Sequence, residues 1–283
     1  MAGSLKQRAR HLAFMPYMVF LAVFLIWPGL YVFRGAFDKG SAERSPMIEA
    51  VTGQYRSNFF FSLRLSFISA AIGLVIGAAV AIALMQLSHV RGLRNIVVGY
   101  SAVAANMGGI PLAFAFLAAF GMQGLATRLL NGINIDLIGW GFRISDFWGI
   151  VLVYLYFQIP LMTLVIVPAL DGLRRTWSEA AQSLGASTRQ YWRFVALPIL
   201  TPALLGGFLL LVANAFAAYA TAFALSAGGS RLVPVQIRFF LQGDTITGKT
   251  NLGYALAAWM VIITGLLVAG FQLLTRRAER WRR

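Results

Sequence analysis

Residues 147–170 read FWGIVLVYLYFQIPLMTLVIVPAL, a run without one charged side chain. The hydrocarbon core of a bilayer is crossed by roughly 20 residues of helix, so this stretch is long enough to span it. Working outward, three further runs of this kind precede it, at Leu12–Phe33, Leu65–Leu87 and Ile96–Phe120. Two follow, at Ile199–Ser226 and Leu252–Thr275. In lipid every backbone N–H and C=O must be satisfied within the segment, which a helix does by itself. The expectation is an all-α membrane protein of six transmembrane helices. Composition agrees, with 59% hydrophobic residues, 12% charged and a mean hydropathy of +0.74, where soluble domains carry about 25% charged residues. No repeat, low-complexity tract or soluble linker interrupts the pattern, so residues 1–283 are expected to form a single transmembrane domain.

Lys6, Arg8 and Arg10 precede the first run as they would in a signal peptide. The run is longer than the 7–15 residues of a signal's apolar region and no A-x-A site follows, so a retained span is expected. Orientation follows from the positive charges that alternate between the two sides. One side holds the N-terminal cluster, Arg91, Arg94, Arg174, Arg175, Arg189, Arg193 and the C-terminal arginines, fourteen in all against Asp171, Glu179 and Glu279. The other holds ten cations against six carboxylates. Both termini are therefore expected in the cytoplasm of a multi-pass protein of the bacterial inner membrane.

Several function classes are disfavoured by what the chain lacks. There is no cysteine, and the two histidines, His11 and His89, stand far apart, so no thiolate or paired-histidine metal site is expected. The net charge of +15 sits mostly beside apolar runs, where arginine meets anionic headgroups, and this argues for lipid over nucleic acid. No carboxylate falls inside a span. Ion-coupled carriers bury such groups as relays, so the driving energy is expected from outside the chain. A self-sufficient ion-coupled secondary transporter is the alternative, discriminated by uptake under an ion gradient without ATP. Residues 243–250, GDTITGKT, match the P-loop pattern. That loop needs a strand before it, a phosphate-facing helix after it and cytoplasmic nucleotide, yet charge counting puts it outside the cell, so no nucleotide binding is expected there.

Within the spans, Gly73 and Gly77 have the G-x-x-x-G spacing of close helix contacts, and Gly108-Gly109 precede Pro111. Asn106, Gln158, Asn214 and Tyr219 are the candidates for lining a pathway, or else for hydrogen bonds between helices. Arg64, near the outer end of the second span, is read as snorkelling to the surface.

The stretch from Asp171 to Phe194 is too polar to enter the membrane and too patterned for an idle loop. It reads as two short helices. Ser178 is the expected N-cap of the first, with Glu179 in the first turn and Gly185 as its C-terminal stop. Ala180, Ala181 and Leu184 share a face. Ser187-Thr188-Arg189-Gln190 has capping-box spacing, Tyr191, Trp192, Phe194 and Val195 give the second helix an apolar side, and Leu197-Pro198 begins the next span.

Glu179-Ala180-Ala181, then Gly185, Val195 and Leu197-Pro198, resemble the cytoplasmic E-A-A signature of the inner-membrane permeases of binding-protein-dependent ABC importers. Valine stands where that signature usually has isoleucine. The resemblance extends to the six-span layout, and the general look is similar to permeases of the polyamine, phosphonate, thiamine and ferric-iron group, although no specificity motif for a substrate is present. It implies a transport subunit without its own ATPase activity, in which Glu179, Ala180, Ala181, Gly185, Leu197 and Pro198 form a coupling helix and its exit. The partners implied are ABC ATPase subunits, which bind the ATP and Mg²⁺, a second identical or homologous permease, and an extracytoplasmic solute-binding protein. No cofactor is expected in this chain.

Overall fold

The computed structural model describes residues 14–39, 44–86, 91–226, 229, 231–242 and 249–280. All regular elements among these are helices, and six are long and apolar enough to cross a membrane. They begin with α1 (Phe14–Phe37) and the short α2 (Pro46–Glu49). The chain continues through α3 (Gly53–Gln86), α4 (Arg91–Asn106), α5 (Ile110–Phe120), α6 (Leu125–Gly132) and α7 (Phe147–Asp171). After α8 (Arg175–Ser183) come α9 (Thr188–Ala217), α10 (Ala220–Ser226), α11 (Val233–Gln242) and α12 (Thr250–Arg280).

Two expected spans are each broken. Ile96–Phe120 is not one helix: α4 stops at Asn106, Met107 to Gly109 are unwound, and α5 starts at Ile110. Gly109 has φ 82° and ψ −155°, a backbone region open in practice only to glycine, and Pro111 has no N–H to continue the earlier helix. The membrane-length stretch there is Ile110–Gly132, made of α5 and α6. Ile199–Ser226 is likewise divided at Ala218-Tyr219. The remaining spans keep their places, although α3 begins well before Leu65 and the first residues of Leu12–Phe33 lie outside the described set.

Proline also shapes continuous helices. Pro28 and Pro198 cannot donate to the fourth carbonyl back, and the turn before each widens, so that Trp27 bonds the Ala22 carbonyl and Leu197 the Trp192 carbonyl. Such five-residue turns absorb the missing donor without ending the helix.

The contacts fall into two compact units. The first comprises 1–57 and 236–261. Here Lys249 Nζ meets Glu49 Oε1 at 3.0 Å, Trp259 Nε1 donates to the Met47 carbonyl at 3.0 Å, and Tyr31 stands edge-on to Tyr254 at 5.7 Å. A hydrogen bond to Glu49 raises the pKa of Lys249. The second unit comprises 58–235 and 262–283. In it α3 lies directly on α7: a Cβ at Gly77 would stand 2.6 Å from Met162 Cβ, and one at Gly73 3.1 Å from Gln158 Cβ. Among the described residues Arg64 pairs with no carboxylate; its guanidinium lies 5.4 Å over the Phe147 ring.

Candidate functional site

The polar segment between the fourth and fifth spans folds as a capped knob. α8 begins earlier than its sequence suggests, at Arg175, with Arg174 extended in the N-cap position. Ser178 is therefore inside the helix, a correction to the expected cap. Two four-residue pairings need that extra turn: Arg175 Nε meets Glu179 Oε1 at 3.1 Å, and Gln182 Nε2 donates to Ser178 Oγ at 3.3 Å. The end of α8 is as expected. Gly185 has φ +80°; its N–H donates to the Gln182 carbonyl, and the N–H of Ala186 to that of Ala181, both at 2.9 Å. These crossed bonds form a Schellman turn. The capping box also forms, with Ser187 N–H donating to Gln190 Oε1 at 2.7 Å and Gln190 N–H to Ser187 Oγ at 3.3 Å.

Both ends fixed, the two short helices enclose a notch of about 290 Å³. Ala181, Gly185, Gln190, Tyr191 and Val195 line it, and Leu184 and Phe194 stand at its lip, 88% and 68% exposed. Glu179 and Ala180 are exposed outside the notch, while Leu197 and Pro198 lie beyond it at the foot of the span. The exposure of Leu184 is the feature that the sequence leaves unread, because a leucine beside two alanines looks the same whether it faces a core or a solvent. With Phe194 it leaves the lip of the notch apolar and open to solvent.

The two helix breaks meet elsewhere in the same unit. The Gly109 amide donates to Thr221 Oγ1 at 2.7 Å, and the fully buried Tyr154 donates its hydroxyl to the unwound Ala218 carbonyl at 2.9 Å. Non-helical backbone at membrane depth persists only where protein or a water-filled cavity satisfies it. A cavity of about 330 Å³ lies here, and Asn106, Asn214 and Tyr219 line it together with Gly108, Gly109 and Thr221. Its lining is neutral throughout. Three of the four pathway candidates are thus brought together. Gln158 is not among them: it is fully buried between α3 and α7 and donates to Ser69 Oγ at 2.9 Å. Gly108-Gly109 with Pro111 signals the first break; Thr221 and Tyr154 carry no signal of their own. The P-loop lookalike lies outside the described residues from 243 to 248, and its Lys249 is engaged with Glu49.

A family model described as the binding-protein-dependent transport system inner membrane component matches residues 73–283. The chain is 28% identical to the spermidine/putrescine transport system permease protein of Haemophilus influenzae over 216 residues, covering 76% of this chain and 75% of that one. It is 27% identical to the sulfate transport system permease protein of Escherichia coli over 272 residues, covering 93% and 88%. Among solved structures, a bacterial ABC transporter involved in the import of alginate superposes with a TM-score of 0.72 at 16% identity, covering 97% of this chain and 98% of that one, which shows the fold.

Proposed function

Because the chain belongs to the family of binding-protein-dependent transport system inner membrane components, the permease subunits of ABC importers, we propose that the notch between Ala181 and Val195 seats an ABC ATPase. The observation that carries this reading is the knob itself. Its helices are locked by a Schellman turn and a capping box, and it projects Leu184 into solvent between two spans. A rigid element of this kind passes on a push, where a loop would absorb it.

In this reading Glu179, Ala180, Ala181 and Gly185 meet the ATPase, and Leu197-Pro198 carry the motion into α9. The displaced knob pulls on α7 and α9, its two flanking spans in the chain. Because α9 ends at the break that lines the Asn106–Asn214–Tyr219 cavity, its movement opens or closes that cavity, in the manner of rigid-body switching around a fixed site. A second permease copy or homologue completes the pathway, and an extracytoplasmic binding protein delivers the small solute. ATP and Mg²⁺ belong to the ATPase, and this chain hydrolyses nothing. The excess of arginine on the knob's side supports cytoplasmic termini. The test is co-purification and uptake: Glu179→Ala is expected to lower both ATPase association and transport, and full retention of both overturns the docking role.

A further inference from the structure

A crevice of about 310 Å³ opens between α7, α9 and α12 at the knob end of these spans. Its walls are apolar, with Pro168 and Ala169 from α7, Ala203 from α9 and Phe271 from α12. The two alanines leave the space that larger side chains would fill. Its mouth is different: Trp177 of α8 and Thr275 of α12 close it, the Arg174 guanidinium lies 5.8 Å over the Trp177 ring, and the exposed Arg276 follows Thr275. Neither arginine has a carboxylate partner among the described residues.

We propose that this crevice binds an anionic phospholipid of the cytoplasmic leaflet, an acyl chain lying against Ala169, Ala203 and Phe271 and the headgroup phosphate against Arg174 and Arg276. The chemistry selects the ligand. A free phosphate has no use for an apolar slot, and a zwitterionic lipid fills the slot but gains less than an anionic one from two arginines that have no carboxylate partner among the described residues. Tryptophan at the mouth suits the boundary, where amphipathic rings gather at the level of the headgroups. The crevice reaches through the last turns of α7 and α12, the depth at which lipid chains begin. Because Trp177 belongs to the knob, a bound lipid anchors the knob to the membrane and so bears on coupling. The cytoplasmic placement rests on the orientation proposed above.

The experiment uses the assembled transporter in lipid nanodiscs of phosphatidylcholine with phosphatidylglycerol, analysed by native mass spectrometry, with ATPase association read in the same samples. The wild-type assembly is expected to retain phosphatidylglycerol in preference to phosphatidylcholine. In an Arg174→Gln/Arg276→Gln variant the preference falls several-fold, and Ala203→Phe, or Ala169→Leu if that variant does not assemble, excludes both lipids. Equal retention of the two lipids by the wild type overturns the proposal, as does a disulfide joining two Ala203→Cys permeases, which puts a second copy in the crevice. Lipid selectivity lost with ATPase association kept separates this site from the docking role of Glu179.

Discussion

Gly109 and Thr221, 112 positions apart, hold each other across the two helix breaks: the Gly109 amide donates to the threonine hydroxyl at 2.7 Å, and that hydroxyl donates to the Gly109 carbonyl at 3.3 Å. The threonine thereby replaces the helical partner that the Gly109 amide has lost, while the Gly109 carbonyl also accepts the Ala113 N–H at 3.2 Å. Thr221→Val keeps the shape and removes both bonds, leaving the part-buried Gly109 amide without this partner at a cost of about 1 kcal/mol. The expected result is a lower thermal midpoint of the purified chain, with Thr221→Ser close to wild type.

Gly108 and Gly109 are neighbours with different duties. A Cβ has room at either, with nothing nearer than 3.8 Å, so sterics do not separate them. The backbone of Gly109 does, at φ 82° and ψ −155°. Gly109→Ala should cost about 1–3 kcal/mol of backbone strain, while Gly108→Ala is tolerated. Parallel thermal unfolding of the two variants checks the order.

Close approach of α3 and α7 gives a graded prediction. At Gly77 an added methyl meets Met162 Cβ at 2.6 Å and the Ile159 carbonyl at 2.8 Å; at Gly73 its nearest neighbour is 3.1 Å away. Overpacking of this sort costs about 1–3 kcal/mol, and the backbone at Gly77 cannot step aside. Gly77→Ala should lower stability and expression more than Gly73→Ala.

Lys249 is the lysine that a P-loop would place on phosphate, and it is instead paired with Glu49. The pair is partly exposed, so it contributes at most about 1 kcal/mol and is screened by salt. Its effect on pH dependence has a definite sign. Glu49 raises the lysine pKa above its ordinary 10.5, so the stabilisation is complete below that value and lost only as pH climbs through the raised one. Lys249→Gln is therefore expected to leave uptake, ATP hydrolysis by the assembled transporter and stability near neutral pH little changed. Loss of ATP hydrolysis in this variant contradicts the assignment of nucleotide to the partner.

The features legible in the sequence were those written within a few neighbouring residues. Uncharged run length reveals the spans, and Gly185 and Ser187–Gln190 reveal how the knob's helices stop and start, because turns and caps are local chemistry. The first break is local too, through Gly109 and Pro111, but the second is tied to a distant partner. Ala218-Tyr219 contains neither glycine nor proline, and its unwound carbonyl is satisfied by Tyr154, 64 positions earlier. Gln158 illustrates the reverse: a polar residue in an apolar run suggests a pathway, but its bond to Ser69 is a link between helices. Ser178 lies inside the helix and not at its cap, and the i,i+4 pair of Arg175 and Glu179 forms only because the helix includes both.

The absence of native cysteine makes one measurement decisive for the knob. Single cysteines are placed at Leu184 and at Trp140, 88% and 72% exposed, in the assembled transporter, and each is probed with a membrane-impermeant thiol reagent from either side and with a thiol cross-linker. Leu184→Cys should react only from the cytoplasm and cross-link to the ATPase subunit, with the ATPase shielding it from the reagent, while Trp140→Cys reacts only from outside and captures no ATPase. Labelling of Leu184→Cys from outside, or free labelling without cross-linking when the ATPase is bound, contradicts the account.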